Sequence, residues 1–190
     1  MGASCMIYRV SPRELEVVLD WERAERNGPG ASAPNPIRER RFADRTWNVG
    51  RPESADPSDG SPLVLDLQRR RSLLALMLSE EYRSDRRIGH TRRPCAPLGR
   101  AVFGAESDPY TPPRESILSL NRPDDVAEIA QALSALDPAS HAAAFLGSPE
   151  GQTLPPGVRE HELLAQMIAN LATFYSVAER EGQAVSIFAT

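Results

Sequence analysis

Apolar and polar residues alternate between two periodicities along the chain. Residues 3–10 (ASCMIYRV) form a short apolar, β-branched run bounded by polar residues, which predicts a strand. Ser11-Pro12-Arg13-Glu14 follows it. Ser11 is placed to cap a helix, Pro12 fits a first turn, and Glu14 completes a capping box. Leu15, Val18 and Leu19 then recur at i, i+3 and i+4, predicting a helix that ends near Arg26. A second helix is predicted over 66–82, with Leu73, Leu74, Met77 and Leu78 facing the core. Residues 98–104 form a short element closed by glycine, and 115–120 (ESILSL) read as a strand. Pro123-Asp124-Asp125 opens a third helix, with carboxylates at the positive end of its dipole; Val126, Ile129, Ala130 and Leu133 are its apolar face. Asp137-Pro138 repeats the signal for a short helix ending near Leu146. The longest helix is predicted over 158–180, with Leu164, Met167, Ile168, Leu171, Phe174, Tyr175 and Val177 as a wide apolar stripe. Gly182 stops it, and 184–189 (AVSIFA) form a closing strand.

Between these elements lie two stretches without periodicity. Residues 27–62 are rich in Pro, Gly, Ser and Arg, with Phe42 and Trp47 as their only evident anchors, and 83–97 are similarly irregular. The expectation is therefore one α+β domain over 1–190: a small mixed sheet of about three strands, carrying four to five helices on one side, with two long loops.

Composition narrows this picture. Of 190 residues, 41% are hydrophobic and 25% charged, a balance suited to a folded core. All 22 basic residues are arginine, which excludes Schiff-base and P-loop lysine chemistry. Net charge is -4 and the pI about 5.5, which weighs against a nucleic-acid binder. The two cysteines, Cys5 and Cys95, suit a reducing compartment. No leader or membrane span is expected, and a cytoplasmic location follows as an expectation. The start MGASCM approaches a myristoylation signal, but Met6 stands where Ser or Thr is required.

The order and spacing of several segments carry a resemblance. Pro97-Leu98-Gly99-Arg100-Ala101-Val102-Phe103-Gly104, the helix from Leu120 to Leu136, and the long helix with Phe174-Tyr175 followed by Gly182 and the strand to Phe188 are similar to the YfbM-like family of small bacterial proteins of unknown function. Met1-Gly2 and the strand that leads into the Ser11 helix start match as well. The resemblance implies a mixed α/β fold and no established activity. It departs after Leu65-Asp66-Leu67, where the family carries an aromatic and a histidine; here the residues are Gln68, Arg69, Arg70, Arg71, Ser72 and Leu73.

Candidate chemistry is sparse. Glu160-His161-Glu162 are neighbours about 100° apart on a helix, so they do not converge, and the second histidine of a zinc-protease motif is replaced by Ala165. Gly99 and Gly104 have P-loop spacing, but Ala105 and Glu106 replace the Lys and Ser/Thr. The serine of Gly147-Ser148-Pro149-Glu150-Gly151 lacks the spacing of a nucleophile elbow. Cys95 and His90 lie five residues apart without an orienting third group. Cys5 reads as a small core residue and His141 as a packed or surface histidine. No catalytic set, metal site or cofactor is expected.

The uneven feature is charge. Arg83, Arg86, Arg87, Arg92, Arg93 and Arg100 face one acid, Asp85, with His90 among them; Arg69, Arg70 and Arg71 add to the group. Its plain reading is a solvated loop in an arginine-biased chain. Its functional reading is a surface for an acidic protein partner or a small anion, because guanidinium groups recognise carboxylates and phosphates. The leading expectation is thus a non-catalytic interaction protein, of which immunity proteins against toxins are one class. The alternative is a small-molecule binder or enzyme whose site forms only in three dimensions, among Tyr8, Arg9, His90, Arg100, Tyr110 and Tyr175. The sequence leaves the oligomeric state open.

Overall fold

The computed structural model describes residues 5–17, 46–48, 64–67, 70–87, 95–105 and 117–189. The apolar opening run forms strand β1 (Cys5–Val10). Ser11 turns the chain into helix α1, described over residues 12–17. The capping box is formed as expected: the Ser11 N–H donates to Glu14 Oε2 at 3.0 Å, and the Glu14 N–H to Ser11 Oγ at 3.4 Å. The remaining strands are β2 (Thr46–Asn48), β3 (Val64–Asp66), β4 (Ile117–Asn121) and β5 (Ala184–Ala189). They form one sheet in the order β2-β3-β1-β5-β4. The β2–β3 pair is parallel and the other pairs are antiparallel. The three expected strands are the contiguous half of this sheet. The other two strands have three residues each, too few for a period of two to register. The expected loop over 27–62 lies outside the described residues apart from β2, and the one expected over 83–97 is corrected at its start, where residues 83–87 are helical; 88–94 lie outside the described residues.

Helices follow as α2 (Arg71–Leu78), α3 (Glu80–Arg87), α4 (Pro97–Phe103), α5 (Pro123–Ser134), α6 (Pro138–Gly147), α7 (Pro149–Gln152) and α8 (His161–Arg180), with a 3-10 turn at Pro156–Val158 before the last. The single helix expected over 66–82 is corrected. Asp66 belongs to β3, where it pairs with Met6, and Ser79 separates two helices. Ser79 takes an extended conformation (φ -120°, ψ 112°), and its hydroxyl accepts the Tyr82 N–H at 3.1 Å, starting α3. Asp137 caps α6 by accepting the Ser140 N–H at 3.0 Å.

The expected apolar stripes of α5 and α8 are buried throughout. They join α2, α4 and α6 and the face of the sheet bearing Cys5, Ile7, Leu65, Val185 and Ile187 in one large core. The opposite face is also apolar, contrary to a one-sided sheet. Tyr8, Val10, Val64, Leu120 and Ala184 are buried there, with Leu15 of α1 packed against them. This explains why β1 reads as a continuous apolar run: a strand buried on both faces has no polar side to alternate with.

Candidate functional site

Buried helix ends are the organising problem around the arginine segment, because each leaves carbonyl groups without an intrahelical partner. At the end of α2, Arg83 Nη1 donates to the carbonyls of Leu76 at 2.7 Å and Met77 at 3.2 Å, and His141 Nε2 donates to Met77 at 2.8 Å. A guanidinium at a helix C-terminus also meets the negative end of the dipole. At the end of α4, Asn121 Nδ2 donates to the carbonyl of Arg100 and to the hydroxyl of Tyr175, both at 3.0 Å. The Tyr175 hydroxyl donates in turn to the Ala101 carbonyl at 2.9 Å. Gly104, at φ +76°, then turns the chain back; a Cβ there would stand 2.5 Å from Cβ of Ser119, so only glycine fits.

Two arginines of the expected site therefore serve the body of the protein. Arg83 holds α2, and Arg100 pairs through its two terminal nitrogens with Asp125 and Glu128 of α5. Arg71 ties the same region together: its Nε donates to the Val102 carbonyl at 3.2 Å, and its guanidinium lies 4.7 Å from the centre of the Phe103 ring. Phe103 in turn stacks at a tilt on Tyr82 of α3, with centroids 5.1 Å apart. Arg86 and Arg87 are on the last turn of α3. His90, Arg92 and Arg93 lie outside the described residues, as do Tyr110 and any pairing of His90 with Cys95. Cys95 itself is exposed.

The other candidates resolve individually. Tyr8 and Arg9 project to opposite faces of β1. Arg9 is buried and pairs with Glu181 at 3.2 Å; it stands in a row with Val185 and Asn121 across the end of the sheet. His161 Nε2 donates to the Ala139 carbonyl at 2.8 Å, tying α8 to α6. The Ser148 hydroxyl donates to the Phe145 carbonyl at 2.6 Å and accepts the Gly151 N–H at 3.2 Å, which makes it a helix cap. Among the described residues no group of three His, Cys, Asp or Glu side chains is placed to hold a metal ion, and no helix is long and apolar enough to cross a membrane. Asn121, Glu81, Asp125 and Glu128, which the sequence does not single out as site residues, carry the polar framework here.

Burial also sets two acid groups apart. It pushes the Cys5 thiol from 9.0 up to about 11, with Arg71 opposing and Asp66 adding to the shift. It holds the Tyr175 hydroxyl well above its usual range, opposed by the hydrogen bond from Asn121. Both groups keep their protons in the fold at a pH where the unfolded chain has lost them. Stability is therefore expected to fall as pH rises, the thiol contribution being present below pH 9 and lost toward 11. A thiol shift of this size corresponds to on the order of 2–3 kcal/mol. Urea melts between pH 8 and 11 should show the decline, and Cys5→Ala should flatten its first part; an unchanged profile in that variant would show that the thiol does not cause it.

Comparison with known proteins bears on the fold. No protein-family profile matches the chain, and no curated protein matches by sequence. A search of solved structures finds the crystal structure of YfbM, a protein of unknown function from Escherichia coli. The superposition covers 98% of this chain and 99% of that one, with a TM-score of 0.55 at 15% identity. The chain has a YfbM-like fold. The α+β architecture implied by the segments around Pro97–Gly104 and Phe174–Tyr175 is thus shared along nearly the whole length, while at this identity the likeness speaks for fold alone.

Proposed function

We propose that this chain is a cytoplasmic interaction protein, a divergent member of the YfbM-like family, and that it takes an acidic partner through residues 83–100. The observation that supports this reading is how the two ends of the segment are held. Arg83 is committed to α2 and Arg100 to α5. Between these two the sequence places Arg86, Arg87, Arg92 and Arg93, with His90, and the single acid Asp85. A run of like charges between two rigid anchors costs self-repulsion, which a carboxylate-bearing partner relieves. Guanidinium groups meet such a partner with charge-assisted, often bidentate hydrogen bonds.

The test uses the intact protein and poly-L-glutamate as an acidic probe. Binding is expected at low ionic strength, weakening steadily as salt rises. Poly-L-lysine of equal length is expected to bind to the acidic remainder instead, and to survive substitution of the four arginines. No binding of poly-L-glutamate at low salt would refute the acidic-partner reading.

A further inference from the structure

Arg71 opens α2, and its guanidinium is held on two sides. Nε donates to the Val102 carbonyl at 3.2 Å, among the last carbonyls of α4, where intrahelical donors run out. Its central carbon lies 4.7 Å from the centre of the Phe103 ring. Phe103 leans in turn on Tyr82 of α3, with centroids 5.1 Å apart. The start of α4 is fastened to α3 as well: Glu81 Oε2 accepts the N–H groups of Cys95 at 2.8 Å and Ala96 at 3.1 Å. Tyr82 and Phe103 thus form a firm shelf under Arg71, and all three side chains are only part-buried. The terminal nitrogens of Arg71, Nη1 and Nη2, meet no acceptor among the described residues. Asp66 acts with Arg71 on the Cys5 thiol, yet no ion pair joins the two. The first turn of α2 holds no acid, and the adjoining Arg70 has its Nη1 buried without an acceptor.

We propose that Arg71, on its shelf of Phe103 and Tyr82, is a docking point for a carboxylate of an acidic partner, received by its two terminal nitrogens. Positive charge at this corner of the fold is unopposed, so the complementary group is an anion. The guanidinium is already oriented by the Val102 carbonyl and the ring, so little side-chain freedom is lost on association. Its planar end offers paired N–H groups, which suit a carboxylate. The site lies outside residues 83–100 and does not depend on their reading as a partner surface.

The test follows the side-chain Nε–H resonance of Arg71 by NMR while poly-L-glutamate is added to the intact protein. It is run in the parent and in the variant with Arg86, Arg87, Arg92 and Arg93 replaced by glutamine. The resonance should shift and saturate in both, whereas sodium chloride of equal ionic strength should give no saturating shift. In the background without those four arginines, Arg71→Lys keeps the charge but loses the planar, ring-supported group. Its affinity should fall about tenfold, the scale of a hydrogen bond to a charged group. Phe103→Leu should weaken binding about threefold through loss of the ring. Arg159→Lys, at an exposed arginine on the approach to α8, should change nothing. Thermal melts confirm that each variant is folded. No saturating shift at Arg71, or one that chloride reproduces, would overturn the docking point, and so would an Arg71→Lys variant that binds as its background does. If the parent binds poly-L-glutamate without a response at Arg71, this site fails and the reading of residues 83–100 stands. If Arg71 responds while the fourfold substitution leaves affinity unchanged, that reading fails and this site stands.

Discussion

Replacing Leu171 with alanine is expected to lower the unfolding free energy by about 2–5 kcal/mol, enough to threaten the fold of a domain with ordinary stability. Leu171 is fully buried near the middle of α8, one helical turn from Met167 and Ile168 on one side and from Phe174 and Tyr175 on the other. Around it, α5 and α6 both pack on α8, and the sheet contributes Ile7, Val185 and Ile187 to the same cluster. Truncation to Cβ removes apolar neighbours on several sides, and helices fixed by caps and ion pairs close the resulting gap only in part. Chemical denaturation of the variant should show a midpoint well below that of the parent with a similar slope. A curve that overlays the parent would remove Leu171, and with it this packing of α8, from the core.

The features legible in the sequence are those whose cause is local. The capping box at Ser11–Glu14, the Asp137 cap and the stripes of α5 and α8 each depend on residues within a few positions of one another, so spacing reveals them. The break at Ser79 is hidden because the apolar run from Leu73 to Leu78 leads without interruption into a segment with good helix formers. The interruption depends on the Ser79 hydroxyl and on Arg83 reaching back to two carbonyls. Strands β2 and β3 are hidden for the same reason in reverse: three residues of β3 pair because β1 offers an edge, three of β2 because β3 does, and only the assembled sheet supplies these edges.

The polar framework of the candidate site depends even more on distant partners. Asn121 meets Arg100 and Tyr175 across 21 and 54 positions, and nothing beside it in the chain marks it as the cap of another helix. Among the six arginines of 83–100, local sequence does not single out Arg83 and Arg100 as ones that serve the body. Their roles follow from what they meet in the fold: a buried helix end and two carboxylates of α5.

That division gives the arginine segment its sharpest expected result. Replacing Arg86, Arg87, Arg92 and Arg93 together with glutamine should weaken binding of an acidic partner by on the order of a hundredfold or more at low salt, since a charge-assisted hydrogen bond in a desolvated pair is worth up to a few kcal/mol. The difference between variant and parent should shrink as ionic strength rises, because exposed charges are screened over about 10 Å at 0.1 M. The melting temperature should remain near that of the parent, as the four substitutions leave both anchors in place. Arg83→Gln and Arg100→Gln should show the reverse pattern. The first leaves carbonyls at the end of α2 short of a donor, and the second leaves Asp125, which is four-fifths buried, without its cation. Both should lower the melting temperature, whereas their direct effect on partner binding should be the smaller one. If the quadruple variant binds as the parent does at low salt, the segment is a solvated surface. If it unfolds, these arginines serve the body as Arg83 and Arg100 do, and recognition must be sought elsewhere on the chain.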